Sequence, residues 1–147
     1  MAKIETVLEQ LLWRIDRLEK RIATLETIEY GSGWIDYSST STIVGWSSYT
    51  IKKIYYKTIG RIVLIQFYLD GTSNATASNF TIPYISGAGF AVGLIIRVID
   101  NGGQATAGLM ELSNNSSTCH LFAAPNAPPW TASGNKLAYG QFWYEMA

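Results

Sequence analysis

Cysteine and histidine are almost missing from this chain of 147 residues, which holds one of each, Cys119 and His120. A single cysteine cannot close an intrachain disulfide, and the pair lacks the further ligands that a zinc site needs. It reads as a packed or surface pair. One histidine also leaves a nucleophile few possible bases. There is no Gly-x-Ser-x-Gly, no His-Glu-x-x-His and no Walker loop, and Gly87-x-Gly89 lacks the rest of a dinucleotide fingerprint. No cofactor and no enzymatic activity are therefore expected. Net charge is missing as well, since 11 basic residues balance 11 acidic ones. A nucleic-acid binder needs a basic surplus to neutralise phosphates, so that class is set aside. No apolar run reaches the roughly 20 residues needed to span a bilayer, so membrane insertion is not expected. Charges interrupt the N-terminal apolar residues, unlike a secretory leader.

The charge that is present is unevenly placed. Residues 1–30 hold 5 of the basic and 6 of the acidic residues, leaving 6 and 5 for the remaining 117. In that first part Ile4, Leu8, Leu11, Ile15, Leu18, Ile22 and Leu25 step alternately by four and three. The spacing predicts a helix with a heptad seam, Leu8, Ile15 and Ile22 at a, and Ile4, Leu11, Leu18 and Leu25 at d. An amphipathic helix docked on its own domain is the competing reading. Arg14 and Arg21 fall at g, and Glu19 and Glu26 at e, five residues on. That is the spacing of g-to-e′ pairs between parallel chains in register. Ile at a with Leu at d suits two strands. Apolar Val7 and Leu12 at g and e widen the seam, and RIDRLE (14–19) and RIATLE (21–26) each match the Arg-h-x-x-h-Glu pattern of trimeric coiled coils. A parallel homotrimer is favoured over a dimer, with 1–30 as stalk and 31–147 as a second domain.

After Gly31-Ser32-Gly33 the periodicity changes to that of strands. Strands are expected at 34–37, 43–46, 50–57, 61–69, 78–82, 90–99, 105–112, 117–123 and 136–144. Turn signals separate them, among them Asp70-Gly71, Asn101-Gly102-Gly103, Asn114-Asn115 and Ser133-Gly134. In RIVLIQFYL both faces are largely apolar, which predicts a strand buried on both sides. The terminal LAYGQFWYEMA has no plain solvent face either, and such a strand suits a trimer axis. Many short strands without a second helix predict a mainly β fold, an antiparallel β-sandwich of the jelly-roll kind, carried on the coiled-coil helix as a homotrimer.

The stretches YSSTSTIVGWSSYTIKKIYYKTIG (37–60) and GRIVLIQFYLDGTSNATASNFTIPY (60–84) resemble the leading strands and the strand–loop–strand of bacteriophage tail-fibre head domains. The whole architecture is similar to bacteriophage head-fibre or tail-fibre receptor-binding proteins, and to the trimeric jelly rolls of the tumour-necrosis-factor and complement-head superfamily. The resemblance implies a virion protein made in the host cytoplasm, attached to other virion proteins through its stalk. It also implies a head that recognises a host-surface receptor. A purely structural capsid fibre or decoration protein is the alternative. A cytokine-like ligand and a polysaccharide depolymerase are further readings.

For the receptor, loop 124–136 (APNAPPWTASGNK) sets an aromatic ring among amides. Sugars stack apolar faces on rings and hydrogen-bond to amides. Asn126, Trp130 and Asn135 are therefore candidate glycan-binding residues, against the reading that Trp130 plugs the end of the sandwich. Loops 71–79 and 113–118 are further polar candidates. The carboxylates Asp36, Asp70, Asp100, Glu111 and Glu145 offer the residue type of a glycosidase pair, but Asp70 and Asp100 fall at turn signals, which favours a capping or turn role.

Overall fold

The computed structural model describes residues 2–30, 33–89 and 92–147, and within the helix the side chains of 5–24. Helix α1 runs Ala2–Tyr30, 29 residues or roughly 43 Å. No Gly or Pro interrupts it. Every described side chain of the helix, from 5 to 24, is exposed. Leu8, Leu11, Ile15, Leu18 and Ile22 each keep half or more of their surface. The seam is thus not docked on the rest of its own chain. Lys20 bridges to Asp16 at 2.9 Å and the Arg17 guanidinium lies over the Trp13 ring. Arg14, Glu19 and Arg21 enter no ion pair among the described residues. The side chains of Ile4, Leu25 and Glu26 lie outside the described residues.

The remainder is mainly β. The strands are β1 (Ile35–Asp36), β2 (Ile43–Val44), β3 (Trp46–Ile59), β4 (Ile62–Ser73), β5 (Asn79–Thr81), β6 (Val92–Ile99), β7 (Thr106–Leu112), β8 (Thr118–Phe122) and β9 (Asn135–Glu145). Each falls at an expected segment. Runs of Ile, Val, Tyr and Phe fit a pleated surface, and a turn punctuates most of them. Between β6 and β7, Gly103 N donates to Asp100 O across Asn101-Gly102, both with positive φ. Two bounds differ. β3 starts four residues earlier than expected and β4 runs on through the predicted Asp70-Gly71 turn. Gly71 is there because the backbone of Ser48 and Tyr49 on bulged β3 crosses where a side chain would stand.

Hydrogen bonding is continuous in the order β1-β3-β4-β9-β6-β7-β8-β5-β2, antiparallel throughout. The expected sandwich is therefore one sheet curled over on itself. β6, β7 and β8 belong to two overlapping Greek keys, with β9 returning beside β6 and β5 lying beside β8. Composition marks which segments are strands; it does not say which pair. The inner faces of the curl meet in one core, where Phe67 and Phe80 join the two halves at 5.0 Å. Val63, Ile65, Phe67 and Leu69 are buried, at most 2% exposed, while Leu64 and Tyr68 on the other face are half-buried and Gln66 is exposed. The chain covers only one side of the strand expected to be buried on both.

Register fixes two ends. Ile35 pairs with Tyr56, so the chain arrives from α1 near the β3–β4 hairpin, and Met146 N donates to Arg61 O at that same end. At the other end Trp46 pairs with Ser73, and Thr72 with Asn135. Loops 74–78, 100–105 and 123–134 gather there, away from where α1 joins.

Candidate functional site

The distal loops are tied together by a lysine at the start of β9. Lys136 is fully buried, and its three ammonium protons have three acceptors: Gly45 O at 3.0 Å, Ala75 O at 2.9 Å and Ser78 Oγ at 2.8 Å. The rings of Trp46 and Trp130 flank Nζ, with centroids 5.1 and 5.0 Å away. Burial lowers its pKa from 10.5 to about 8, and the charge of Asp100 opposes that shift. Asp100 in turn accepts from Thr131 N and from Thr131 Oγ1 at 2.8 Å, and Ser73 Oγ donates to Thr131 O at 2.6 Å. Among the described residues no buried side-chain polar atom lacks a partner. A satisfied network of this kind holds loops in one arrangement.

This network decides the fate of the glycan candidates. Trp130 is 2% exposed, its Nε1 donates to Leu121 O at 2.8 Å, and its backbone N donates to Thr76 O. The ring has no face left for a sugar, and the plug reading holds. Asn135, with its amide nitrogen turned toward acceptors, donates to Asp70 Oδ1 and Gly71 O, so it clamps β9 to β4. Asn126 is exposed at the distal end. Loops 71–79 and 124–136 meet, and loop 113–118 lies at the opposite end, where Ser86 Oγ donates to Ser113 O. Where the two distal loops meet, Thr76, Ser78, His120, Phe122 and Pro129 line a shallow cleft of about 290 Å³. Outside the residues that line this cleft, Tyr49 on β3 stands opposite Gly71, 36% exposed and stacked on Trp46.

Sequence reasoning missed Tyr49 and Lys136. Lys136 was legible in principle. In β9 the residues Ala138, Gly140, Phe142 and Tyr144 share one face, and the period of two carried back places Lys136 on that same inward face.

The convex face of β3, β4 and β9 carries a second feature. Cross-strand register sets Tyr55, Gln66 and Gln141 in one row and Lys53, Tyr68, Tyr139 and Arg97 in the next. Tyr68 and Tyr139 meet edge to face at 5.2 Å. Arg97 apart, the two rows line an open groove of about 780 Å³. Trp143 beside it is 53% exposed and Ile95 63%.

Four of the five named carboxylates, Asp36, Asp70, Asp100 and Glu145, have local partners. Asp36 Oδ1 accepts from Ser38 N, which with the Ser38 hydroxyl lowers its pKa, and Glu145 bridges to Arg61 at 3.2 Å. Cys119 is buried in the core, its thiol pushed well up by burial. Among the described residues no group of three His, Cys, Asp or Glu side chains is placed to hold a metal, and no helix is long and apolar enough to cross a membrane. Compared with known proteins, the chain matches no family model and no curated relative.

Proposed function

We propose that this chain is the protomer of a homotrimeric bacteriophage fibre. In this reading α1 is the parallel coiled-coil stalk that joins the fibre to other virion proteins. The β-rich head presents its distal loops to a glycan of the host surface. One observation carries the reading: an unpartnered heptad seam joins the head at one end, while pinned polar loops gather at the other. A stalk that holds three heads side by side turns weak single sites into useful avidity. Tyr49 supplies the ring and Asn126, Thr76 and His120 the polar groups for saccharide contact.

Light scattering tests the assembly: about 49 kDa is expected, three times the 16.2 kDa chain, and about 32 kDa would mean a dimer. A glycan array with the purified protein, repeated with Tyr49→Ala and Asn126→Ala, tests the head. Loss of a bound glycan in both variants supports the reading. A protein that binds no glycan and no host cell, yet binds capsids tightly, refutes it. That outcome favours a structural head fibre, a second reading supported by the burial of Trp130.

A further inference from the structure

We infer that the distal cleft takes the oxyanion of an acidic saccharide, a carboxylate or sulfate group held on Ser78, with Lys136 supplying positive charge from behind. The inference rests on the reading of the distal end as a saccharide-binding face, and it names the class of sugar. Ser78 is 3% exposed and lines the cleft. Its Oγ accepts from the Lys136 ammonium at 2.8 Å, so its own proton must point elsewhere. Among the described residues no protein group accepts that proton. Thr76 and His120, exposed in the same cleft, make no side-chain hydrogen bond among the described residues either. Three unspent donors thus share one cleft, and no carboxylate lines it. Phe122 and Pro129 supply an apolar wall for the C–H face of a sugar ring. A cleft of about 290 Å³ lies at the small end of ligand pockets, roughly 300–1,000 Å³, and suits a single sugar unit.

The charge behind Ser78 selects an anion. A hydroxyl that accepts from an ammonium is a stronger donor on its other side, because hydrogen bonds in a chain polarise one another. An oxyanion on Ser78 stands one hydroxyl away from Nζ, in a buried site where attraction is weakly screened. Tyr49 and Lys52 on β3, Asp70 on β4, Asp100 after β6 and His120 on β8 are the titratable and charged groups of the elements around Lys136. The charge that acts on Nζ is that of Asp100, itself occupied by Thr131. Glu111 lies across from His120 in register and does not line the cleft. Burial lowers the Lys136 pKa to about 8. Above that value the neutral amine keeps two protons for Gly45 O and Ala75 O and gains a lone pair that can accept from Ser78. The serine then turns away from the cleft, and the positive charge is gone with it.

Titration calorimetry of the full chain tests this, with uronic-acid and sulfated oligosaccharides, each beside its methyl-esterified or unsulfated counterpart. At pH 7 an acidic form should bind at least tenfold more tightly than its neutral counterpart, and which of the two does so tells carboxylate from sulfate. Ser78→Ala should lower that affinity at least tenfold. Thr76→Val changes an exposed residue outside the Lys136 network, so it guards against a first variant that folds poorly, and it should lower the affinity severalfold. In the natural chain the affinity should fall at least tenfold between pH 7 and 9.5. Equal binding of acidic and neutral forms overturns the inference and leaves the saccharide reading intact. Binding of no saccharide, here or on the array, overturns both. Acidic binding that both variants leave unchanged lies elsewhere and overturns the inference. A fall centred near pH 6.5, the ordinary range of histidine, overturns the role of Lys136 in favour of His120.

Discussion

Replacing Lys136 with Met keeps the length of the side chain and removes the charge from between two tryptophans. Two opposing effects can be sized. Lowering the lysine pKa from 10.5 to about 8 means that burying the charged form costs about 3 kcal/mol, at 1.36 kcal/mol per pH unit. The substitution relieves that cost. Against it, Gly45 O, Ala75 O and Ser78 Oγ lose their shared donor in a dry site. Each orphaned acceptor costs about 1–3 kcal/mol, and Ser78 can turn its hydroxyl to only one of the carbonyls. Two acceptors left unpaired cost about 2–6 kcal/mol against about 3 relieved, so near pH 7 the two effects nearly balance and the variant should be no more than about 3 kcal/mol less stable by urea denaturation. The pH profile is the sharper assay. The unfolded lysine keeps its proton up to about 10.5, whereas the folded one releases it above about 8. Between those values the unfolded state binds more protons, so the stability of the natural chain rises with pH, by up to about 1.4 kcal/mol per unit. Below about pH 8 both states are protonated and this contribution is flat. Lys136→Met lacks the rise, so its deficit should widen between pH 8 and 10. Parallel profiles for the two proteins over that range would refute the account of a desolvated ammonium.

Gly71→Ala sets a Cβ 2.9 Å from Tyr49 Cα and hard against the Ser48 backbone, which cannot swing away as a side chain would. A loss of about 1–3 kcal/mol is expected in thermal or urea unfolding, and an unchanged midpoint would show that the β3 bulge is soft. Arg14→Ala with Arg21→Ala removes the basic half of the proposed g-to-e′ pairs. Each exposed pair contributes about 0.2–1 kcal/mol, so sedimentation at low concentration should show dissociation that added salt brings out in the natural chain too. An assembly unchanged by both treatments would show that the arginines do not set it.

The elements of this fold were legible because each rests on a local pattern. Ile, Val and Tyr at a period of two mark β3 and β4, and the stepped Leu and Ile of α1 mark a helix seam. What was not legible depends on contacts far apart in the chain. The pairing of β4 with β9 joins residues some seventy positions apart, and nothing in either strand names the other. Trp130 among Pro and Asn looks the same in sequence whether its ring points out to a sugar or in to Lys136. Asp70-Gly71 has the composition of a turn, but a glycine in a strand also marks backbone passing close by, and only the bulge in β3 tells them apart. The burial of Trp130 was hidden for the same reason: it is set by the curl of the sheet, not by the loop's composition.

The alternation of β9 sets two groups of side chains on opposite faces of one strand. Lys136, Ala138, Phe142 and Tyr144 face inward, and Tyr139, Gln141 and Trp143 face outward. A slip of one residue against β4 would exchange the two sets, bringing Gln141 and Trp143 into the core and turning the Lys136 ammonium away from its three acceptors. Gly140 guards against that slip. It pairs with Phe67, and a Cβ there would lie 2.8 Å from Ile96 Cγ2 and 3.5 Å from the Phe67 ring. After a slip, Tyr139 or Gln141 would have to occupy the place where there is no room for a side chain. The register that anchors the distal loops through Lys136 is therefore the same register that sets Tyr139 and Trp143 on the convex face. Changes that loosen β9 should disturb loops and face together, whereas changes to a single outward side chain should leave the Lys136 network as it is.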